Sequence, residues 1–135
     1  MSNSVESRTL SVRIARPMAE VYAFLAEPRH FPQWASGLCT AIHETDEAWL
    51  ADTEHGPMRV RFTPPNDYGV LDHYVQTPHG DELYVPMRLI PNGDGCELVF
   101  TLFRSNGMSE EEFVSDAKWV ERDLAALKQM LESVA

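Results

Sequence analysis

Ser109-Glu110-Glu111-Glu112-Phe113-Val114-Ser115-Asp116-Ala117-Lys118-Trp119-Val120 opens the stretch whose reading decides the fold. Apolar residues recur through it at Phe113, Ala117, Val120, Leu124, Leu127, Leu131 and Val134, spaced four and three apart in turn. That rhythm keeps one side of a helix apolar and predicts a helix from about Glu110 to Ser133, roughly 36 Å long. Ser109 and Glu112 have the spacing of a capping box, in which each side chain satisfies the other residue's backbone N–H. Acidic residues in the first turn also suit the positive end of the helix dipole. A stripe this long needs a large apolar partner, and the rest of the chain must supply it.

Working back from the helix, the middle of the chain reads as strands. Leu38–His43, Ala48–Thr53, Met58–Phe62, Tyr68–Gln76, Leu83–Ile90 and Cys96–Arg104 are separated by turn-forming segments such as Pro64-Pro65-Asn66-Asp67 and Asn92-Gly93-Asp94-Gly95. Short connections between successive strands predict an antiparallel meander. Pro86 falls inside one of them and points to an edge position or a bulge, because proline donates no ladder hydrogen bond. Ahead of the meander, Arg8–Ile14 alternates as a half-buried strand. Met18–Ala26 then has helical composition, and a second helical turn around Phe31–Ala35 ends near Gly37. The expected architecture is α+β: a curved antiparallel sheet wrapped around the long C-terminal helix, with two short helices between the first and second strands.

The chain has 135 residues, which fits one domain spanning 1–135. Eleven basic residues stand against twenty-one acidic ones, for a formal net charge of −10. That balance opposes nucleic acid and anionic membrane surfaces, whose recognition depends on clustered Lys and Arg. No apolar run approaches the roughly 18 residues of a membrane span, and no signal peptide is visible. The two cysteines, Cys39 and Cys96, lack CxxC spacing and read as free thiols of a reducing, cytoplasmic compartment. The five histidines include no HExxH pair, so neither a metal nor another cofactor is expected.

Ile14-Ala15-Arg16-Pro17-Met18-Ala19-Glu20-Val21-Tyr22-Ala23-Phe24-Leu25, followed by Phe31-Pro32-Gln33-Trp34, resembles the opening of the START-like, or SRPBCC, superfamily. The order of elements is similar from about residue 7 to the C-terminus. Within the superfamily the small polyketide cyclase/dehydrase-like proteins are the most similar. Gly69-Val70-Leu71-Asp72-His73, the Pro86-Met87-Arg88 strand and Phe100-Thr101-Leu102-Phe103-Arg104 carry that impression. The resemblance implies a helix-grip fold with an apolar cavity between sheet and long helix. It does not imply a reaction, because one fold hosts many functions.

Few residues stand out for chemistry. On the last helix Trp119, Ala126 and Met130 widen the apolar arc, and Asp116 and Asp123 fall inside it. A carboxylate there is costly unless it is paired or wet. Asp116, near the expected cavity mouth, is the stronger candidate for binding a ligand's polar group or acting as a base. His73 alternates with Leu71 and Val75 and points toward the core, whereas Asp72 points the other way, so the two cannot form a dyad. Arg59, Arg61 and Arg88 are expected outside, paired with carboxylates. Phe31, Trp34, Met58, Met87, Phe100 and Trp119, with His73 and Asp116, are the candidate ligand-binding set; Asp116 and His73 are the candidate catalytic residues.

These features favour a module that binds a hydrophobic or aromatic small molecule, lipid- or polyketide-like, as monomer or homodimer. An enzyme of the cyclase or dehydratase kind, moving protons with Asp116, His73 or a tyrosine, is the alternative. A co-chaperone-like interaction domain is the third, and it requires an exposed contiguous apolar patch.

Overall fold

The computed structural model describes residues 4–36 and 38–133. Gly37 and Val134, expected to end the second helix and the apolar stripe, lie outside the described residues, as do residues 1–3. The chain runs β1 (Ser7–Ile14), α1 (Met18–Ala26), a 3-10 turn at Pro28–His30, α2 (Phe31–Trp34), then seven strands and the long helix. The strands are β2 (Ala41–Glu44), β3 (Trp49–Thr53), β4 (Gly56–Phe62), β5 (His73–Gln76), β6 (Glu82–Val85), β7 (Met87–Asn92) and β8 (Gly95–Phe103), and the helix is α3 (Glu110–Glu132).

Every named strand pairing is antiparallel. One sheet has the order β1-β8-β7 and the other β2-β3-β4-β5-β6. The expected strand over Leu83–Ile90 is therefore two strands, in different sheets. Pro86 is the reason: it has no N–H, so the ladder cannot run through it. Its carbonyl still accepts from Thr101 N at 3.1 Å. Past that bond no described ladder pair joins β6 to Leu102–Phe103, and the two sheets part there.

The expected strand over Tyr68–Gln76 is also shorter, because its first half is a loop built around Asn66. The Asn66 Oδ1 accepts from Tyr68 N at 3.0 Å and Val70 N at 3.1 Å. Its backbone N–H donates to the Tyr22 hydroxyl at 2.9 Å, which ties the loop to α1. Gly69 has φ +71°, and a Cβ there would lie 2.5 Å from the Leu89 carbonyl oxygen. Only glycine allows both the left-handed conformation and that approach. The result brings Leu89 N to Gly69 O and Leu71 N to Met87 O, so the loop leads β5 in beside β7.

α3 forms as its sequence requires. Ser109 Oγ accepts from Glu112 N at 3.1 Å, and Glu112 Oε1 accepts from Ser109 N at 3.2 Å. Phe113, Ala117, Leu124, Leu127 and Leu131 are buried along one stripe. That stripe covers β1 and meets α2, so the heptad-like spacing serves this chain's own sheet. At its far end Lys128 Nζ donates to the Arg13 carbonyl at 2.7 Å, and Glu132 Oε2 accepts from Ala15 N at 2.8 Å. Both contacts fasten the helix to the end of β1. The core beneath includes Ile14, Val21, Leu25, Phe31, Val60 and Leu98. No described helix is long and apolar enough to cross a membrane.

Candidate functional site

Where the sheets part, α3 is not fully covered, and a chamber of about 230 Å³ lies between its N-terminal half, α2 and the strands. Each wall follows from local sequence. The helix contributes Asp116, Trp119, Val120, Asp123 and Leu124, one face at helical spacing. Alternation supplies the strand walls: His73 with Val75, Leu83 with Val85, and Phe100 with Leu102. α2 supplies Phe31 and Trp34, and the chain after it supplies Ala35 and Leu38.

Six of the eight expected ligand-binding residues thus line one space: Phe31, Trp34, His73, Phe100, Asp116 and Trp119. Met58 and Met87 do not line it; they are core residues, 7% and 1% exposed. Met87 lies past Pro86, where the chain has moved to the other sheet, and Met58 is on β4, two strands from the parting edge. Leu83, Val85 and Leu102, absent from that set, form the wall at the parting. Their signal was alternation with residues already in strands, but which face turned inward depended on where the sheets separate.

Aromatic rings make the inner end. The His73 ring lies edge-on to Phe31 and to Trp34, with centroids 5.6 and 5.7 Å away, and Phe31 and Trp34 are perpendicular at 4.8 Å. His73 is 3% exposed. Its Nδ1–H donates to the Leu71 carbonyl at 3.2 Å. Burial pushes the imidazole down to about 4, overriding the Leu71 carbonyl and Asp72, which favour the charged form. At neutral pH the ring is therefore uncharged, with the Nε2 lone pair free to accept. The Trp34 indole N–H is buried and has no acceptor.

The outer end is acidic. Burial, and then the charge of Glu112, raise the Asp116 carboxyl above its usual range. Asp123 accepts from Ser36 Oγ at 2.8 Å. Trp119 is 47% exposed and lies under the Arg122 guanidinium, 5.2 Å from its ring centre. A larger groove of about 590 Å³ adjoins the chamber and shares Leu83, Val85, Leu102 and Asp116 with it.

Just ahead of β5 and turned the other way from His73, Asp72 does a different job. Its carboxylate accepts from Met87 N at 2.9 Å, Tyr84 Oη at 2.9 Å and Arg88 Nη2 at 2.8 Å. Burial works against that charge, but the hydrogen bonds from Arg88, Met87 and Tyr84 outweigh it and hold the carboxyl below its usual range. This clamp joins β6, β7 and the entry to β5 around Pro86. Arg59 and Arg61 pair with Glu47 and Glu82 at the surface, as expected for strand cations on the outer face. Cys39 and Cys96 are free and buried, and burial pushes the Cys39 thiol up to about 11. Among the described residues no group of three or more His, Cys, Asp or Glu could hold a metal ion.

This architecture is the START-like helix-grip fold. A START superfamily protein from Mycobacterium smegmatis is similar with TM-score 0.70 at 13% identity, over 96% of this chain and 99% of that one. MLL2253 from Mesorhizobium loti is similar with TM-score 0.71 at 13% identity, over 96% and 99%. CalU16 from Micromonospora echinospora is similar with TM-score 0.68 at 17% identity, over 97% of this chain and 77% of its own. No protein-family model matches the sequence, and no curated protein does.

Proposed function

We propose that this protein binds a hydrophobic or aromatic small molecule in the chamber between α3 and the parted sheets. The observation that carries the reading is the lining: apolar and aromatic side chains surround about 230 Å³, with His73, Asp116 and Asp123 as the few ionisable groups. A mostly apolar concavity with sparse polar groups is the usual chemistry of a small-molecule site. The buried free thiols support cytoplasmic residence. Titration with the neutral fluorophore N-phenyl-1-naphthylamine tests the reading. Saturable enhancement is expected in the wild type and is lost in Leu83→Trp, which fills the chamber. No enhancement in the wild type, or equal enhancement in a folded Leu83→Trp, overturns it.

A second reading is favoured by one feature, that His73 and Asp116 both line the chamber. A neutral imidazole and a carboxyl with a raised pKa are able to exchange protons with one bound substrate, as a cyclase or dehydratase requires. Unchanged turnover in Asp116→Asn, with any substrate that proves to be converted, removes Asp116 from that role. The interaction-domain reading rests on a smaller feature: exposed Val5, Tyr84 and Phe103 share the adjoining groove, with Tyr84 and Phe103 stacked at 6.2 Å.

A further inference from the structure

The polar groups facing the chamber share a bias that selects the ligand. His73 donates through Nδ1 to Leu71, so its Nε2 is an acceptor, and no described residue donates to it. The Trp34 indole N–H, in the adjoining ring, has no acceptor but is sealed off from the space and offers a ligand nothing. Apart from His73, the ionisable groups in the lining are Asp116 and Asp123, and no Lys or Arg lines the space. The adjoining groove adds Asp81 and Glu82, and its one cation, Arg104, is held by Glu6 at 3.0 Å and by the Met108 carbonyl at 2.9 Å.

Each class of ligand meets this lining differently. A carboxylate or phosphate offers only acceptors to a lone pair and two carboxylates, and it would give up hydration without gaining a cation. An ammonium suits Asp116 at the outer end, but beside the buried, neutral His73 ring it would lose hydration with no charge there to offset it. A hydroxyl donates to the His73 lone pair without carrying a charge among the aromatic rings, so it is the smallest group that answers His73 at little desolvation cost. Size narrows the choice further. An apolar cavity of about 150 Å³ holds one benzene, so about 230 Å³ has room for two fused rings.

We infer that the chamber selects a neutral aromatic alcohol of about two rings, its hydroxyl donating to His73 Nε2, and that it turns away anionic ligands, fatty-acid carboxylates included. This rests on the chamber being a ligand site, and the two claims fail separately. Naphthalene, 2-naphthol, 2-naphthoate and 2-naphthylmethylammonium are compared by calorimetry and by displacement of N-phenyl-1-naphthylamine, in the wild type, His73→Phe and His73→Gln. 2-Naphthol is expected to bind roughly two- to tenfold more tightly than naphthalene, the range one net hydrogen bond supplies. 2-Naphthoate is expected to be the weakest of the four. His73→Phe is expected to bring the 2-naphthol-to-naphthalene affinity ratio to about one, and His73→Gln, which retains an acceptor, restores part of it. Naphthalene binding with no 2-naphthol preference, or with 2-naphthoate or the ammonium tightest, overturns the inference and leaves the ligand site standing. No binding by any of the four overturns both. Where the His73 variants do not fold, 15N NMR of the wild type decides. His73 Nε2 must shift with 2-naphthol and not with naphthalene, and equal shifts overturn the inference.

Discussion

The two ends of α3 face different surroundings. The C-terminal end, with Leu127 and Leu131 at 1% and 7% exposure, is pressed into the core and fastened to β1 through Lys128 and Glu132. The N-terminal end holds Asp116 and Trp119 over an open chamber, where the sheets have parted. The helix is continuous and amphipathic throughout, so the difference lies in what opposes it. One end meets a sheet with complete ladders, and the other meets the split that Pro86 begins. Stability therefore belongs mainly to the closed end and ligand chemistry to the open one.

The largest expected effect is at the closed end. Leu127→Ala is expected to cost about 2–5 kcal/mol, because it empties a fully packed site, as read by urea unfolding. A loss under about 1 kcal/mol would break the contrast. Next is the pH dependence of His73. Its folded value of about 4 lies below the ordinary 6.5. Below pH 6.5 the unfolded chain takes up a proton that the folded one refuses until about pH 4. The stability of the neutral ring is thus complete above 6.5 and is lost as pH falls toward 4, by about 3 kcal/mol over that window. Comparing unfolding of the wild type and His73→Phe across pH 4–7 checks this, and parallel curves would count against it.

Asp72→Asn tests the clamp behind the chamber. It disrupts the bonds to Arg88, Tyr84 and the buried Met87 N–H and is expected to cost about 2 kcal/mol at neutral pH, by thermal or chemical denaturation. A cost confined to pH below 3.8 would contradict a carboxylate that is charged and bonded at neutral pH. Ser109→Ala should cost about 1 kcal/mol by loss of the cap, and amide exchange should show fraying at Glu110–Phe113 but not at Leu127. The smallest effect is at Asp116. Its charge is disfavoured by burial and by Glu112, so Asp116→Asn should be neutral or slightly stabilising at pH 7, within about 0.5 kcal/mol. A clearly destabilised Asp116→Asn would mean that the open end also depends on this residue for stability.

Particular residues show how far the chain could be read without coordinates. The α3 stripe, its Ser109–Glu112 cap, the two short helices and the inward turn of His73 all follow from periodicity and capping, which act over a few residues. Pro86 was legible as an interruption, but not as a change of sheet, because that depends on which strand receives each half. Asn66-Asp67 reads as turn chemistry, but Tyr68–Asp72 reads as the start of a strand, since its residues alternate acceptably. The side chain of Asn66 and the approach of Leu89 to Gly69 decided otherwise.

The sequence by itself determined the element types, the buried face of most elements and an acidic surface without a basic patch, since these rest on local spacing and composition. Tertiary structure alone decided that the sheet divides at Pro86, that Leu83, Val85 and Leu102 line a chamber while Met58 and Met87 pack the core, and that His73 keeps an unused acceptor. Those outcomes depend on contacts between residues far apart in the chain, and no local pattern encodes which distant partner a side chain meets.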